Sequence, residues 1–414
     1  MCKITINSLL NGDDSLTDRL IIDGGKASGS TSLLVKTGSS RGGLTHQGIA
    51  LVQTKNGGTT HADAFQLDPS SDGYNSAGIL NVGAYNYRLK RGGDGGEEQD
   101  WYLISSLSPV VSSYLQGRQS AVAMHRHTLH DRQWQVPDQE DSPTWLRMEG
   151  AIVHHDGADE QKTEDRRWVL HGGRDIVRFN DIYGGGSRIG LMAQYGTSSG
   201  SSDDDVSSSS HSVRGYSAGI YASWFGHNDL RSGPYIDTWL MHGLFYNDVT
   251  GQRQRTENYR AQNTTVSLES GYKFKMAESS SAGYYIEPQA QILHDRYRAK
   301  NHQMLGGGLV SDMSGNNVTT RLGARFYEDR FDKYGQTVMQ GFIEANWWHG
   351  PSSQTIRIDN AIGREPMPAD RAEFKFGVQG NVMENLSVTG TVGVDTNMSS
   401  YKAGRFSLRV NYAY

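Results

Sequence analysis

The stretch that decides the fold closes the chain: Arg405-Phe406-Ser407-Leu408-Arg409-Val410-Asn411-Tyr412-Ala413-Tyr414. Phe406, Leu408, Val410, Tyr412 and Tyr414 occupy one side of a period-two pattern, and Arg405, Ser407, Arg409, Asn411 and Ala413 the other. Side chains alternate across a β-strand, so these residues predict a strand with one apolar and one polar face. Working backwards, the alternation recurs in about twelve segments down to Trp145. Val318, Thr320, Leu322, Ala324 and Phe326, for example, oppose Thr319, Arg321, Gly323, Arg325 and Tyr327.

In a soluble sheet the charged face would meet water. Three features favour the inverse arrangement, a transmembrane β-barrel with its apolar rows towards lipid. Most segments reach the ~9 to 11 residues that a tilted strand needs to cross a bilayer, against ~5 to 6 for a soluble strand. Connections also alternate in length. Short ones lie near Asp181–Gly184, Gly226–Arg231, Ala277–Ser281 and Glu384–Asn385, and long polar ones near Asp156–Glu164, Thr197–Ser210, Asn301–Gly315 and Pro351–Pro368. That is the asymmetry of brief periplasmic turns and extended external loops. Finally, Tyr195, Trp224, Phe225, Tyr235, Tyr246, Tyr284, Tyr285, Trp347, Trp348, Tyr412 and Tyr414 sit near segment ends, where interfacial girdles form. An even number of strands would return both barrel ends to the periplasmic side.

Composition narrows the alternatives. Of 414 residues, 50 are Gly, and 21 Tyr and 8 Trp outnumber 11 Phe, an excess of turns and amphipathic aromatics that fits an all-β chain. A net charge of −5 offers no basic field for nucleic acid. Cys2, the sole cysteine, excludes an intramolecular disulfide framework, CxxC redox pairs and multi-Cys zinc sites. No run of 18 apolar residues exists, which excludes a helical span and leaves a barrel open. Met1–Ile6 lacks the charged, apolar and small-residue regions of a secretion signal.

Ahead of the alternating region, residues 16–107 carry short strands every 12 to 18 residues or so, separated by Gly, Ser, Asn and Asp. This spacing suits the stacked rungs of a β-solenoid, with a β-sandwich as the alternative. Ser108-Pro109 reads as an N-cap followed by Pro at the first helical position, and Val110, Val111, Tyr114, Leu115, Ala121, Val122 and Leu129 continue at helical spacing. Ser112, Ser113, Gln116, Gly117, Arg118, Gln119 and Ser120 interrupt that helix with polar and small groups, so its surroundings cannot be uniformly oily.

With these residues in hand, the chain resembles the type Va autotransporters of the adhesin-type, pertactin-like branch. Asp18-Arg19-Leu20-Ile21-Ile22-Asp23-Gly24-Gly25 with Ala27-Ser28-Gly29 is similar to a late passenger rung, and Gly83–Leu89 with Arg91-Gly92-Gly93 and Asp100-Trp101-Tyr102-Leu103 to the closing segment called the autochaperone. Thr128-Leu129-His130-Asp131-Arg132 resembles the entry from linker helix to barrel. Gly215–Gly219, Tyr285–Gln291, Arg321–Arg325 and Phe342–Trp347 resemble strand motifs of the same family.

The resemblance implies an all-β fold: a twelve-stranded transmembrane β-barrel (133–414) plugged by a linker α-helix (108–132), preceded by a short right-handed β-helix segment (1–107). It implies export and surface anchoring of the chain's own passenger in the bacterial outer membrane, through the outer-membrane barrel assembly machinery and periplasmic chaperones, as a monomer in lipid. Family members begin with a signal peptide and a long passenger, so the chain as given is expected to be a fragment or truncated reading frame. Phe406, Leu408, Val410, Tyr412 and Tyr414 would form the assembly signal strand. Some members cut their own linker at an Asn-Asn pair, but residues 108–132 contain no Asn and the stub is expected to stay attached.

If the apolar rows face lipid, Arg147, Glu149, Arg188, Glu269, Lys273, Glu287, Gln289, Gln291, Arg321, Arg325, Glu344, Asn346, Glu373, Lys375 and Arg409 enter the lumen. Confinement strengthens contacts among such groups. Glu287, Arg321, Arg325 and Glu344 are expected to hold the helix through Ser112, Gln116, Arg118 and Gln119. Neither metal nor cofactor is expected. His125, His127 and His130 are badly spaced on a helix for one ion, Asp203-Asp204-Asp205 reads as an exposed loop, and Arg91–Gly96 lacks the Lys-Ser/Thr of a phosphate loop. No GxSxG elbow occurs. The enzymatic alternative is a loop protease using His154, His155 and Asp156, and the non-enzymatic one a surface adhesin acting through the stub and outer loops.

Overall fold

The computed structural model of the chain describes residues 2–132, 144–158, 161–182, 185–227, 232–251, 256–304, 308–359, 361–383 and 385–413. It opens with a coil of parallel rungs. β1 (Cys2–Asn7), β4 (Thr31–Lys36) and β7 (Phe65–Leu67) stack in parallel, with Ile4 beside Leu33 and Ile6 beside Val35. β2 (Leu20–Asp23) pairs in parallel with β5 (Ile49–Lys55), and β3 (Lys26–Ala27) with β6 (Thr59–Thr60). Like strands of successive turns thus lie side by side, and Ile6, Leu33, Val35, Leu51 and Leu67 fill the interior.

The coil starts at β1, ahead of residue 16, and its parallel pairing ends at β7. β8 (Leu80–Val82), β9 (Tyr85–Arg91) and β10 (Trp101–Leu107) are not further rungs. They form an antiparallel unit that adds to β5 through β10. The cause is the turn between β9 and β10, where Gly92, Gly93 and Gly95 take φ of 78°, 57° and 86° and fold the chain back on itself.

α1 (Pro109–Ala123) follows directly, with Pro at its start and Ser108 extended at its N-cap. The helix does not run to residue 132. Asp131 Oδ2 accepts Thr128 N at 2.9 Å and Thr128 Oγ1 at 3.1 Å, a capping arrangement that begins a separate turn, α2 (Leu129–Arg132).

Twelve antiparallel strands then close into a barrel: β11 (Thr144–Asp156), β12 (Lys162–Ile182), β13 (Gly185–Asp203), β14 (Ser208–Phe225), β15 (Gly233–Thr250), β16 (Thr256–Glu278), β17 (Ala282–Ala299), β20 (Gly315–Phe331), β21 (Thr337–His349), β24 (Asp370–Met383), β25 (Leu386–Thr396) and β26 (Tyr401–Tyr412). The seam joins β26 to β11, Phe406 opposite Gly150, where a Cβ would lie 2.4 Å from the Phe406 ring. Polarity is inverted relative to a soluble protein: Leu146, Leu191, Ile220, Leu268, Leu322, Ile343 and Phe376 are exposed, while Arg147, Asp165, Asp237, Glu269, Glu287 and Arg321 are buried.

Two expectations about the barrel's ends need correction. The segment Thr197–Ser210 is not a loop, because β13 and β14 pair as far as Asp203 opposite Ser208. A polar hairpin standing beyond the apolar band can keep its ladder without an apolar face. Elsewhere the long connections are themselves folded: β18 (His302–Gln303), β19 (Leu309–Ser311), β22 (Ser353–Ile358) and β23 (Ala361–Pro366) make a four-stranded sheet over the barrel mouth. The second concerns the girdles. Adjacent residues point to opposite sides of a strand, so Trp224, Tyr284 and Trp347 face outwards while Phe225, Tyr285 and Trp348 are buried, as is Tyr235. Tyr195, Tyr246 and Tyr412 are exposed. Tyr414 lies outside the described residues.

One apolar cluster runs unbroken from the coil into the barrel. It contains Leu33, Leu51, Tyr87 and Leu107 of the coil unit, Val111, Tyr114 and Leu115 of α1, and Val213, Phe245, Val249, Ile356 and Ile358 of the wall and mouth.

Candidate functional site: the occupied lumen

The chain threads the barrel. α1 enters at the end bearing the long connections, leans on the wall formed by β12 to β15, and α2 reaches the end bearing the tight turns. Small side chains on α1 allow the close approach, and polar ones find partners at every level.

At the mouth, Gln161 Nε2 donates to the Leu107 carbonyl at 2.6 Å, and Ser112 Oγ lies 2.6 Å from Gln161 Oε1 and 2.8 Å from Glu365 Oε2. Ser113 Oγ meets Ser209 Oγ at 2.6 Å. The Tyr114 hydroxyl donates to Glu257 and sits 3.0 Å from His302 Nε2. About two turns further along, Ser120 Oγ donates to Asp165 Oδ2 at 3.0 Å, and Asp165 also accepts Ser198 and, at 3.0 Å, faces His211 Nε2.

The connector between the helices is held as closely. His125 places Nε2 2.8 Å from Ser217 Oγ and Nδ1 2.9 Å from Thr265 Oγ1, while His127 stacks on Trp239 at 4.0 Å. Leu129 N donates to Glu269 Oε2 at 3.1 Å, and His130 Nε2 lies 2.6 Å from Glu287 Oε1. Arg132 reaches both oxygens of Asp237 at 2.6 and 2.7 Å, with neither side chain exposed. Arg409 donates to the His130 carbonyl.

Around this lies a wall network. Arg321 touches Gln289 at 2.6 Å, Asn346 at 2.9 Å, Gln291 and Glu269 at 3.1 Å, and Glu344 at 3.5 Å. Lys375 bridges Glu344 and Glu373 at 3.4 and 3.6 Å, and Arg325 approaches Glu344 at 3.9 Å. Arg147 stands 3.5 Å from both Asp131 and Glu149. Arg188 packs over Phe225 at 5.5 Å, and Lys273 over the same ring at 6.0 Å.

Of the fifteen wall residues named from the sequence, twelve are buried and Glu149, Arg188 and Lys375 are half-buried, but the expected pairing differs. Glu287, Arg321, Arg325 and Glu344 lie beside the connector and α2, below the reach of Ser112, Gln116, Arg118 and Gln119. Glu287 takes His130 instead. Ser112 takes Gln161 and Glu365, Gln119 donates to Met367, and Arg118 packs over Tyr297 at 5.7 Å. Gln116 lines a cavity beside α1. Sequence reasoning missed Asp165, His211, Asp237, Arg371 and Asp395, and quoted Asp131, Arg132 and Arg405 without giving them a lumen partner. Arg371 and Arg405 share Asp395 at 2.8 and 3.0 Å.

The remaining candidates separate. His154 is exposed and points to Glu164 at 3.9 Å, whereas His155 is buried against the Pro366 carbonyl at 3.0 Å, so the two cannot converge with Asp156 on one substrate. His125, His127 and His130 each take different partners. Asp204 closes a turn on Val206 N and Ser207 N at 2.8 and 2.6 Å.

Comparison with known proteins agrees with this architecture. Residues 144–393 match the family model described as Autotransporter beta-domain, and residues 2–89 that described as Autochaperone Domain Type 1. The chain is 30% identical to the uncharacterized protein YuaQ of Escherichia coli (strain K12), covering 99% of this chain and 32% of YuaQ. It is 28% identical to YdeU of the same strain, covering 99% and 95%. The chain therefore spans about a third of one curated relative and nearly all of the other. Among solved structures, the transport unit of the autotransporter AIDA-I from Escherichia coli superimposes with a TM-score of 0.68 at 22% identity, over 75% of this chain and all of that one.

Proposed function

The chain belongs to the autotransporter family and is an outer-membrane translocator barrel, and from that premise we propose that it exports and anchors its own passenger at the cell surface. In this reading residues 1–107 are the passenger-proximal coil, 108–132 the segment left in the pore, and 133–414 the translocator. The observation that carries it is the thread itself. A single chain passes from the coil through a closed ring of twelve strands and continues into the first of them. Such a path suits a passenger that has been drawn through the ring it is fused to.

The lumen residues then have a definite task. Glu269, Glu287, Asp237 and Arg409 hold the connector and α2, Gln161, Ser209, Glu257 and Glu365 hold the head of α1, and the Arg321 network keeps the wall charges paired. The coil would act as a folded seed on which preceding rungs stack, since solenoid stability is built from neighbouring interfaces. The terminal strand Phe406–Tyr412 would be read by the barrel assembly machinery, with periplasmic chaperones guarding the unfolded chain, and the barrel would work as a monomer without catalysis. Surface adhesion is not favoured, because the two family matches are to a translocator β-domain and an autochaperone domain.

The test is to express the chain behind a signal peptide and an epitope tag. Heat-modifiable migration in the outer-membrane fraction with the tag exposed on intact cells is expected. A soluble product that does not change mobility on heating would refute the reading.

A further inference from the structure

Because α1 leans on the wall of β12 to β15, the opposite side of the lumen is not filled. A small cavity of ≈ 50 Å³ lies there, bounded by Gln116 and Ser120 of α1 and by Asn317, Thr319, Gln354 and Tyr401 of the wall and mouth. Four guanidinium groups enter it: Arg126 from the connector, Arg167 from β12, Arg371 from β24 and Arg405 from β26. A second cavity of ≈ 40 Å³, towards the tight-turn end, shares Arg126 and Arg405 with the first.

The charge balance within the first cavity is uneven. Arg371 and Arg405 share Asp395, Arg405 also meets Glu373 at 3.4 Å, and Asp295, the one carboxylate on the cavity lining, already accepts Thr265 and Asn263 at 2.6 and 3.2 Å. Among the described residues neither Arg126 nor Arg167 forms an ion pair, and the Arg126 guanidinium packs over the Trp348 ring at 6.0 Å. Each has a buried Nε without a hydrogen-bond partner, and Arg167 is only 4% exposed. Guanidinium groups buried beside one another are costly unless an anion compensates them. Their fork of donors matches the oxygens of a tetrahedral oxyanion, and Thr319, Asn317 and Tyr401 add neutral donors at the same cavity.

We propose that this cavity is a binding site for a small free oxyanion of the phosphate or sulfate class, held between Arg126 of the threaded segment and Arg167, Arg371 and Arg405 of the barrel. The anion bridges the plug to β24 and β26, across the lumen from the wall α1 leans on, and to β12 at that wall's edge. It thereby fastens the occupied pore from its open side.

The experiment is isothermal titration of the detergent-solubilised full chain, free of lipopolysaccharide, with sodium sulfate and separately sodium phosphate at fixed ionic strength. Saturable binding is expected with the native sequence. Arg126→Gln and Arg167→Gln should each weaken it by about tenfold or more, the loss expected for one charge-assisted hydrogen bond, with heat-modifiable migration retained. Arg166→Gln, on the outward face of the same strand and paired with Glu164, should leave affinity unchanged. Arg126 lies outside the barrel strands, so its variant tests the site even if Arg167→Gln does not assemble. Absence of saturable heat with the native chain, affinity undiminished in Arg126→Gln, or binding that appears only when lipopolysaccharide is restored would each overturn the proposal.

Discussion

Replacing Asp237 with Asn should release α2 from the barrel. Arg132 contacts both Asp237 oxygens at 2.6 and 2.7 Å, Ser223 Oγ donates to the same carboxylate at 2.6 Å, and the guanidinium lies 4.9 Å from the Tyr221 ring centre. Both charged side chains are fully buried. Asn preserves shape but leaves the guanidinium without its counter-charge. Breaking a buried pair from one side typically costs about 3–5 kcal/mol, and each ~1.4 kcal/mol is a factor of ten in an equilibrium. The population with α2 undocked should therefore rise by about two to three and a half orders of magnitude.

Hydrogen exchange reads this directly, since amide protection follows the local opening equilibrium. The amides of residues 124–132, including Leu129 N on Glu269, should exchange faster by that factor, while those of β16 and β17 stay protected. The double variant Arg132→Gln/Asp237→Asn, lacking the orphaned charge, should recover part of the loss. Exchange in α2 within about tenfold of the native rate would refute the reasoning, as would loss of protection throughout the barrel, which would make the pair a requirement of the wall.

Three further outcomes are expected. Gln161→Ala removes contacts to Leu107 and Ser112, worth about 0.5–1.5 kcal/mol each. Exchange should quicken at residues 107–113 without change in α2, and equal acceleration of both would show that the segment is not anchored independently at its two ends. Leu408→Arg puts a charge on the lipid face of the closing strand, where it is 45% exposed. A cost of about 2–4 kcal/mol should lower the yield of heat-modifiable barrel, whereas Lys402→Arg, already charged and exposed, should not. In the coil, burial works against the ionised Asp13, yet N–H donors from Gly48, His46 and Gln47 at 2.9 to 3.3 Å prevail and hold its carboxyl below the usual range. Its stabilisation is in force above an unfolded value near ~3.9 and fades as pH falls through the lower folded value. Digestion by an acid-active protease should therefore cut residues 2–107 more readily as pH drops, and Asp13→Asn should flatten that dependence.

Much of this molecule was legible because period two is rigid. Once Phe406 and Leu408 are assigned to lipid, Arg405 and Arg409 must turn inwards, and the same parity places Arg321 and Glu344. It fails where both rows are apolar. In β15 the inward row is Tyr235, Asp237, Trp239, Met241 and Phe245 and the outward row Ile236, Leu240 and Leu244, so nothing in the alternation singled out Asp237. Depth along the lumen was equally hidden. Parity says which face Glu287 occupies but not that it stands level with His130, nor that the mouth is closed by Gln161 and Glu365 from connections the pattern treats as loops. The helix break at residues 124–128 was obscured because Leu129 happens to continue the apolar spacing of α1, although Thr128 and Asp131 carry the capping signal.

The seam between β11 and β26 has a topological consequence. Two strands at opposite ends of the 144–412 sequence meet there, around a segment already inside. Before the last strand arrives the ring is open and the thread can be laid in sideways. Afterwards it is a ring on an axle, stoppered at one end by the packed coil and at the other by its covalent continuation into β11. Such a mechanical bond needs no affinity to persist: even if every lumen contact were weakened, the axle could leave only if the coil unfolded or the seam parted.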